Sequence, residues 1–329
     1  MYATGNKKML NMLILEILRM YTDENHSLTQ QEIMRLLKSN YAMECDRRSV
    51  RNNVEHLKEL GYDIEMDNGY RLLSREFDDS ELRILIDSVL FSKSISTNQA
   101  SQIIKKLREL GSKYFNAKVS HVSNLPELNR TINKQAMISI DKINDAISDK
   151  KKISFAYNDM GTDFKLYPRH DGKPYIVSPY QMVANNGRFY LISNVDGKDN
   201  VAHFRIDKMT KVEEVDEKAK PMKEVPELKD GLNLPKHMAE HIYMFAGKSV
   251  PITLETTEDM MQQLADWFGK DFTVRKVGDG KIQARVTCNE DAMHYWALQY
   301  GPYVEVLKPE SLRNRIREDI ARMAEKYSK

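Results

Sequence analysis

KPYIVSPYQMVANNGRFYLISNVDGKDNVAHFRID, residues 173–207, is the stretch that decides the fold. Tyr175, Val177, Tyr180, Met182 and Val183 lead into Asn185-Asn186-Gly187, and Phe189-Tyr190-Leu191-Ile192 lead out. Asn-Gly between β-rich runs is a strong hairpin signal, because both residues tolerate positive φ at the centre of a tight turn. A second turn at Asp196-Gly197 opens a third run, residues 201–206, which carries His203 and Arg205. The pattern predicts a small antiparallel barrel with Tyr, His and Arg at strand positions.

Upstream, Ile153-Ser154-Phe155-Ala156-Tyr157 alternates as a strand, residues 164–169 form another, and the run continues through Val212. Five short antiparallel strands closing on themselves are expected. The candidate effector-binding residues are Tyr157, Ser178, Tyr180, Tyr190, His203 and Arg205. Tyr and His offer stacking faces with hydrogen-bonding tips, and Arg offers a fork that fits phosphate. Such a set suits a nucleotide or a short single-stranded nucleic acid. The structural alternatives are a core role for Tyr190, a packing role for His203, and an ion pair between Arg205 and Asp207, which share a strand face.

N-terminal to this, Leu10, Leu13, Ile14, Ile17 and Leu18 recur at helical spacing over residues 7–21. Thr29 with Glu32 forms a capping box for a helix over 30–38, and Asp46 can cap a third over 47–60, ended by Gly61. A hairpin follows across Asp67-Asn68-Gly69. Three helices and a hairpin make a winged helix-turn-helix layout over residues 1–75. Val50, Val54, Leu57 and Leu60 form the buried stripe of the third helix, while Arg47, Arg48, Ser49, Arg51 and Asn52 cluster in its first turns. A recognition helix presents its N-terminal residues to the major groove, where Arg pairs with guanine and Asn with adenine. Arg71, with Arg75, is placed to follow the DNA backbone from the wing. A solvated helix in a protein-binding module is the plainer alternative.

Residues 76–150 read as a helical connector, with helices after Ser80, over 99–110 and over 128–148; its expected role is to hold a homodimer together. Residues 216–249 are a linker, with Pro221, Pro226 and Pro235 among charges. Residues 250–329 run strand, helix, two strands across Gly278-Asp279-Gly280, helix, strand and a final helix, the βαββαβ order of a ferredoxin-like domain. The whole is an α+β multidomain chain, with the barrel at 151–215.

Composition bounds the rest. The chain has 329 residues, 41% hydrophobic and 30% charged, with a formal net charge of +2. Its two cysteines, Cys45 and Cys288, make no disulfide framework and fit a reducing compartment. The most apolar N-terminal run, residues 9–20, contains Glu16 and Arg19 and is too short and too charged to span a bilayer. A cytoplasmic protein with no membrane contact is expected. No Gly-rich phosphate loop, nucleophile elbow, His-x-x-x-His pair or paired-cysteine spacing is read from the chain, so neither an enzyme, a metal site nor a cofactor is expected.

The same residues resemble a known family, the WYL-domain transcriptional regulators of bacteria. The name-giving Trp-Tyr-Leu becomes Phe189-Tyr190-Leu191 here, and Pro179 with Met182-Val183 matches the upstream element. Phe204-Arg205-Ile206-Asp207-Lys208 matches the downstream signature, with Lys208 where Arg is usual. Asp46-Arg47-Arg48-Ser49-Val50 and Leu57-Lys58-Glu59-Leu60-Gly61-Tyr62 resemble the family's DNA-binding head, although Asn52-Asn53 replaces an Arg-Asp pair. Gly301-Pro302 and Glu305-Val306-Leu307-Lys308-Pro309 resemble its C-terminal extension. The resemblance implies an Sm/SH3-like barrel that binds ligands, nucleic acids among them, and a head that binds a double-stranded DNA operator. An accessory module that binds nucleic acid and tunes a partner enzyme is the second expectation.

Overall fold

The computed structural model describes residues 9–119, 133 and 135–328. The chain divides into two compact units between Arg130 and Thr131. The expected first helix begins at residues 7–8, and the expected third connector helix at 128–132; these positions lie outside the described residues.

The first unit opens with α1 (Leu10–Tyr21), α2 (Gln30–Tyr41) and α3 (Arg47–Glu59), followed by antiparallel β1 (Ile64–Glu65) and β2 (Arg71–Leu72). Thr29 and Glu32 form their reciprocal capping box, and Asp46 Oδ1 accepts from the Ser49 amide at 2.6 Å. Ile14, Ile17, Leu18, Ile33, Leu37, Val50, Val54, Leu57, Ile64 and Leu72 share one core. Leu60, expected in the buried stripe, is 71% exposed. It caps α3, and Gly61 at φ +98° turns the chain away before another inner position is reached. Next come α4 (Asp79–Phe91), α5 (Thr97–Leu110) and α6 (Lys113–Lys118), around Leu82, Ile86, Phe115 and Val119. The cap of α4 is Asp78 in a capping box with Glu81, two residues before the expected Ser80.

In the second unit, α7 (Ala136–Asp149) precedes β3 (Lys151–Met160), β4 (Leu166–Pro168), β5 (Tyr175–Asn185), β6 (Arg188–Val195), β7 (Val201–Arg205) and β8 (Met209–Lys218). The antiparallel order is β4-β3-β5-β6-β7, with β8 paired to β3, so there are six strands where five are expected. Ile153, Phe155, Val177, Leu191, Phe204, Met209 and Val212, from five strands, meet in one cluster, which requires the sheet to curl. Ile143 and Ala146 of α7 lie in that same cluster, so this helix covers the sheet rather than extending the connector.

The β5–β6 turn forms as its Asn-Gly pair predicts: Asn186 and Gly187 take φ +49° and +75°, and Asn185 pairs with Arg188. Within β5 the register slips between Pro179 and Gln181. Pro179 has no N–H to give the ladder, and the extra residue, Tyr180, turns inward in a bulge.

Beyond β8 the chain is more than a surface linker. Val225, Leu228 and Met244 pack with Tyr180, Ile192 and Val201 on the sheet's second face, helped by Leu234 and Met238 from α8 (Leu234–Glu240). This is why Leu191, Ile192, Ser193 and Asn194 of β6 are buried without alternation. Then β9 (Ser249–Thr257), α9 (Met261–Phe268), β10 (Thr273–Gly278), β11 (Lys281–Asn289), α10 (Glu290–Gln299), β12 (Glu305–Lys308) and α11 (Glu310–Tyr327) follow. Their antiparallel sheet has the order β10-β11-β9-β12, with fully buried Trp296, Leu254 and Leu264 beneath it. No helix among the described residues is long and apolar enough to cross a membrane.

Candidate functional site

Antiparallel pairing of β6 with β7 sets Tyr190 opposite Arg205 and Ile192 opposite His203, so the four project from one face. Two residues before Tyr190, Arg188 joins the same face. Its guanidinium reaches Asp207 Oδ2 at 2.6 Å, while Arg205 reaches that oxygen at 2.7 Å and Oδ1 at 3.1 Å. Asp207 is 5% exposed, and both arginines are partly buried. Two guanidiniums thus converge on one carboxylate in a half-dry site beside a tyrosine ring. Burial, then repulsion from Arg205, pull the Arg188 guanidinium below its usual value. Burial also opposes charge on Arg205, but the Asp207 hydrogen bond and charge outweigh it and leave it above its usual value. The arrangement can accept an anion that bridges two guanidiniums.

The six candidate effector residues do not converge. Tyr190 and Arg205 belong to the cluster just described. Tyr157 is buried on the opposite face among Phe155, Tyr175 and Phe204, and its hydroxyl accepts from the Arg205 amide at 3.2 Å. Ser178 Oγ accepts from the Lys220 amide at 2.8 Å, and the Tyr180 hydroxyl donates to the Lys220 carbonyl at 2.9 Å, so this pair anchors the chain after β8. Burial pushes the Tyr180 hydroxyl up to about 12. His203 turns toward α8, with its Nε2 at 2.8 Å from His237 Nε2 and His241 stacked beyond.

Sequence reasoning misses three residues here. Arg188 follows a turn and looks like a solvated turn residue; its alternation with Tyr190 is the signal that could find it. His237 and His241 stand four apart, a His-x-x-x-His pair that corrects the expectation of no such spacing. The prolines and charges around them mask the pair.

In the first unit, Arg47, Arg48, Arg51 and Asn52 are exposed along the start of α3. Arg51 Nε contacts Glu55 at 2.9 Å in an open i,i+4 pair. Such a pair contributes under about 1 kcal/mol and is readily exchanged for phosphate. Ser49 is held at the helix start by Asp46, and no ion pair engages Arg47 or Arg48 among the described residues. Arg71 is committed elsewhere, to Glu65 at 2.6 Å and to the Glu24 carbonyl at 2.6 Å, and Arg75 binds the Thr22 carbonyl.

The helix-covered curled sheet and the sheet behind it correspond to two known domains. Residues 139–214 match the WYL domain and residues 248–324 the WCX domain. The chain therefore contains a WYL domain, as the resemblance in its sequence implies, with a WCX domain after it. Among solved structures, it is similar to Proteasome accessory factor B/C (PafBC) of Arthrobacter aurescens, at 14% identity and TM-score 0.32, over 96% of this chain and 48% of that one. The chain thus spans about half the length of that structure. It is also similar to a CRISPR Cas-related protein, at 15% identity and TM-score 0.38, over 78% and 75% of the two chains. No curated protein matches the sequence.

Proposed function

We propose that this protein is a DNA-binding transcriptional regulator whose WYL sheet senses a phosphate-bearing effector, a nucleotide or short nucleic acid. In this reading residues 1–75 are a winged helix-turn-helix that reads a double-stranded DNA operator through Arg47, Arg48, Ser49, Arg51 and Asn52. Residues 76 to about 135 hold a homodimer, so that half-sites lie about 34–36 Å apart or a multiple of that. The C-terminal domain is ferredoxin-like, and the protein performs no chemistry of its own. The observation that carries the reading is the Arg188–Asp207–Arg205 cluster beside Tyr190. Two half-buried guanidiniums converge on one carboxylate next to a ring on which a base can stack, the geometry that holds a phosphate and its base.

Effector binding would favour one spacing of the two heads over another, and so change operator affinity. The test combines footprinting on DNA near the gene with anisotropy of fluorescent nucleotides and short oligonucleotides. Arg188→Ala with Arg205→Ala should weaken effector binding at least tenfold and abolish its influence on the footprint, leaving basal DNA binding intact. Absence of any footprint, or an effector response that survives the double change, would overturn the reading.

A further inference from the structure

We propose that His203, His237 and His241 bind one divalent transition-metal ion of the zinc class, which staples the chain around α8 to strand β7. This does not depend on the regulatory reading above; it rests on these three side chains.

The fold brings the histidines together from two directions. His203 projects from β7 on the sheet face covered by α8. Asn233 caps α8 by accepting from the Lys236 amide, and the His237 and His241 amides bond one turn back, to the Asn233 and His237 carbonyls. One turn apart, the two rings stack at 4.2 Å between centroids and 22° between planes. The His203 ring lies 5.0 Å from each of them. One ligand nitrogen from each residue falls within a set whose members lie no more than 4.8 Å apart. A tetrahedral zinc with nitrogens at about 2.0–2.1 Å holds them roughly 3.3 Å from each other. The present spacing, from 2.8 Å upward, brackets that value, so small ring rotations suffice.

Chemistry points the same way. His237 and His241 are 8% and 5% exposed, and the set contains no carboxylate. Neutral imidazole is the form that ligates metals, and burial with no carboxylate in the set favours that form. His241 Nδ1 lies 3.0 Å from the His237 carbonyl, to which it can only donate. That contact assigns the proton to Nδ1 and leaves the Nε2 lone pair free, the usual arrangement for a metal-bound histidine held by a backbone carbonyl. This Nε2 is buried without a hydrogen-bond partner. Three imidazoles suit Zn²⁺ and its first-row neighbours, and leave a fourth position for water or an incoming donor.

The staple would have mechanical consequences. Met238 packs on the WYL sheet, whereas Ile242, just past His241, lies in the WCX core. A metal at this point fixes the junction through which the two sheets are joined.

The test uses full-length protein without an affinity tag, stripped with chelator and re-equilibrated with ZnCl₂ or CoCl₂. We expect one zinc retained per chain, a thermal midpoint raised by several degrees, and visible absorption from the cobalt form. His203→Ala and His237→Gln should each abolish retention and the thermal shift. Zinc K-edge absorption on the wild type gives a reading independent of variant folding, expected to show imidazole nitrogen ligation. No retained metal, equal retention in the variants, or a sulfur- or oxygen-only shell would each overturn the site.

Discussion

Arg188 and Arg205 share one carboxylate: both guanidiniums meet Oδ2 of Asp207, at 2.6 and 2.7 Å. Arg188 opens β6 and Arg205 closes β7, so Asp207 in the following turn locks the far ends of two paired strands. Removing it takes from two partly buried guanidiniums the carboxylate they share. Breaking a fully buried pair costs about 3–5 kcal/mol, and partial exposure of both arginines reduces that. Asp207→Asn should therefore destabilise the domain by roughly 2–3 kcal/mol in urea unfolding, while tightening binding of an anionic nucleotide. Arg188→Ala should weaken that same binding. A tightening in both variants would mean that the arginines do not meet the ligand.

On the DNA side, Arg48→Ala with Arg51→Ala should leave the unfolding midpoint within about 0.5 kcal/mol of wild type, since both are exposed surface positions. Operator affinity should fall, and the slope of log affinity against log salt should flatten by about 1–2 if either residue contacts phosphate. Arg71→Ala should behave differently. Its pairing with Glu65 and the Glu24 carbonyl makes it a brace for the β1–β2 hairpin, so its loss should lower stability before it changes the salt slope.

How much of this was legible in the sequence depends on range. Asn186-Gly187, the Thr29–Glu32 box and the stripe of Val50, Val54 and Leu57 are local signals, and each forms where its chemistry places it. The helical period of α7 was equally plain, but periodicity shows that a face is buried without saying against what; Ile143 meets the barrel. His203 and His237 are 34 residues apart, and only the covering of the second sheet face unites them. Ser178 and Tyr180 looked like ligand contacts because strand polarity was visible and their partner, the Lys220 backbone, was not.

The two thiols should differ sharply in reactivity. Cys288 is fully buried in the C-terminal core, and burial pushes its thiol up to about 12. Cys45 is only partly buried and less strongly raised, again by burial first and then by Asp46. Since the thiolate is the nucleophile, a maleimide at pH 8 should label Cys45 first and reach Cys288 only when the C-terminal domain opens. Mass spectrometry of a timed reaction checks the order; simultaneous labelling in native buffer would contradict the packing around Cys288.

Tyr180 gives a pH signature of its own. Its hydroxyl donates to the Lys220 carbonyl from a buried bulge, and burial holds its folded-state value near 12 against an ordinary tyrosine near 10. A group raised on folding contributes stability that is complete below its unfolded value and is lost as pH rises through its folded one. The window is therefore about pH 10 to 12. Other groups titrate there, so the informative quantity is the difference between wild type and Tyr180→Phe. At pH 8 the variant should be less stable by about 1–2 kcal/mol, because the Lys220 carbonyl loses its donor. Raising the pH from 9 to 12 should narrow that gap, and ultimately reverse it, as the wild-type hydroxyl is forced to ionise in a dry site. A gap that stays constant from pH 9 to 12 in urea titrations would show that Tyr180 ionises in water, with the bulge open.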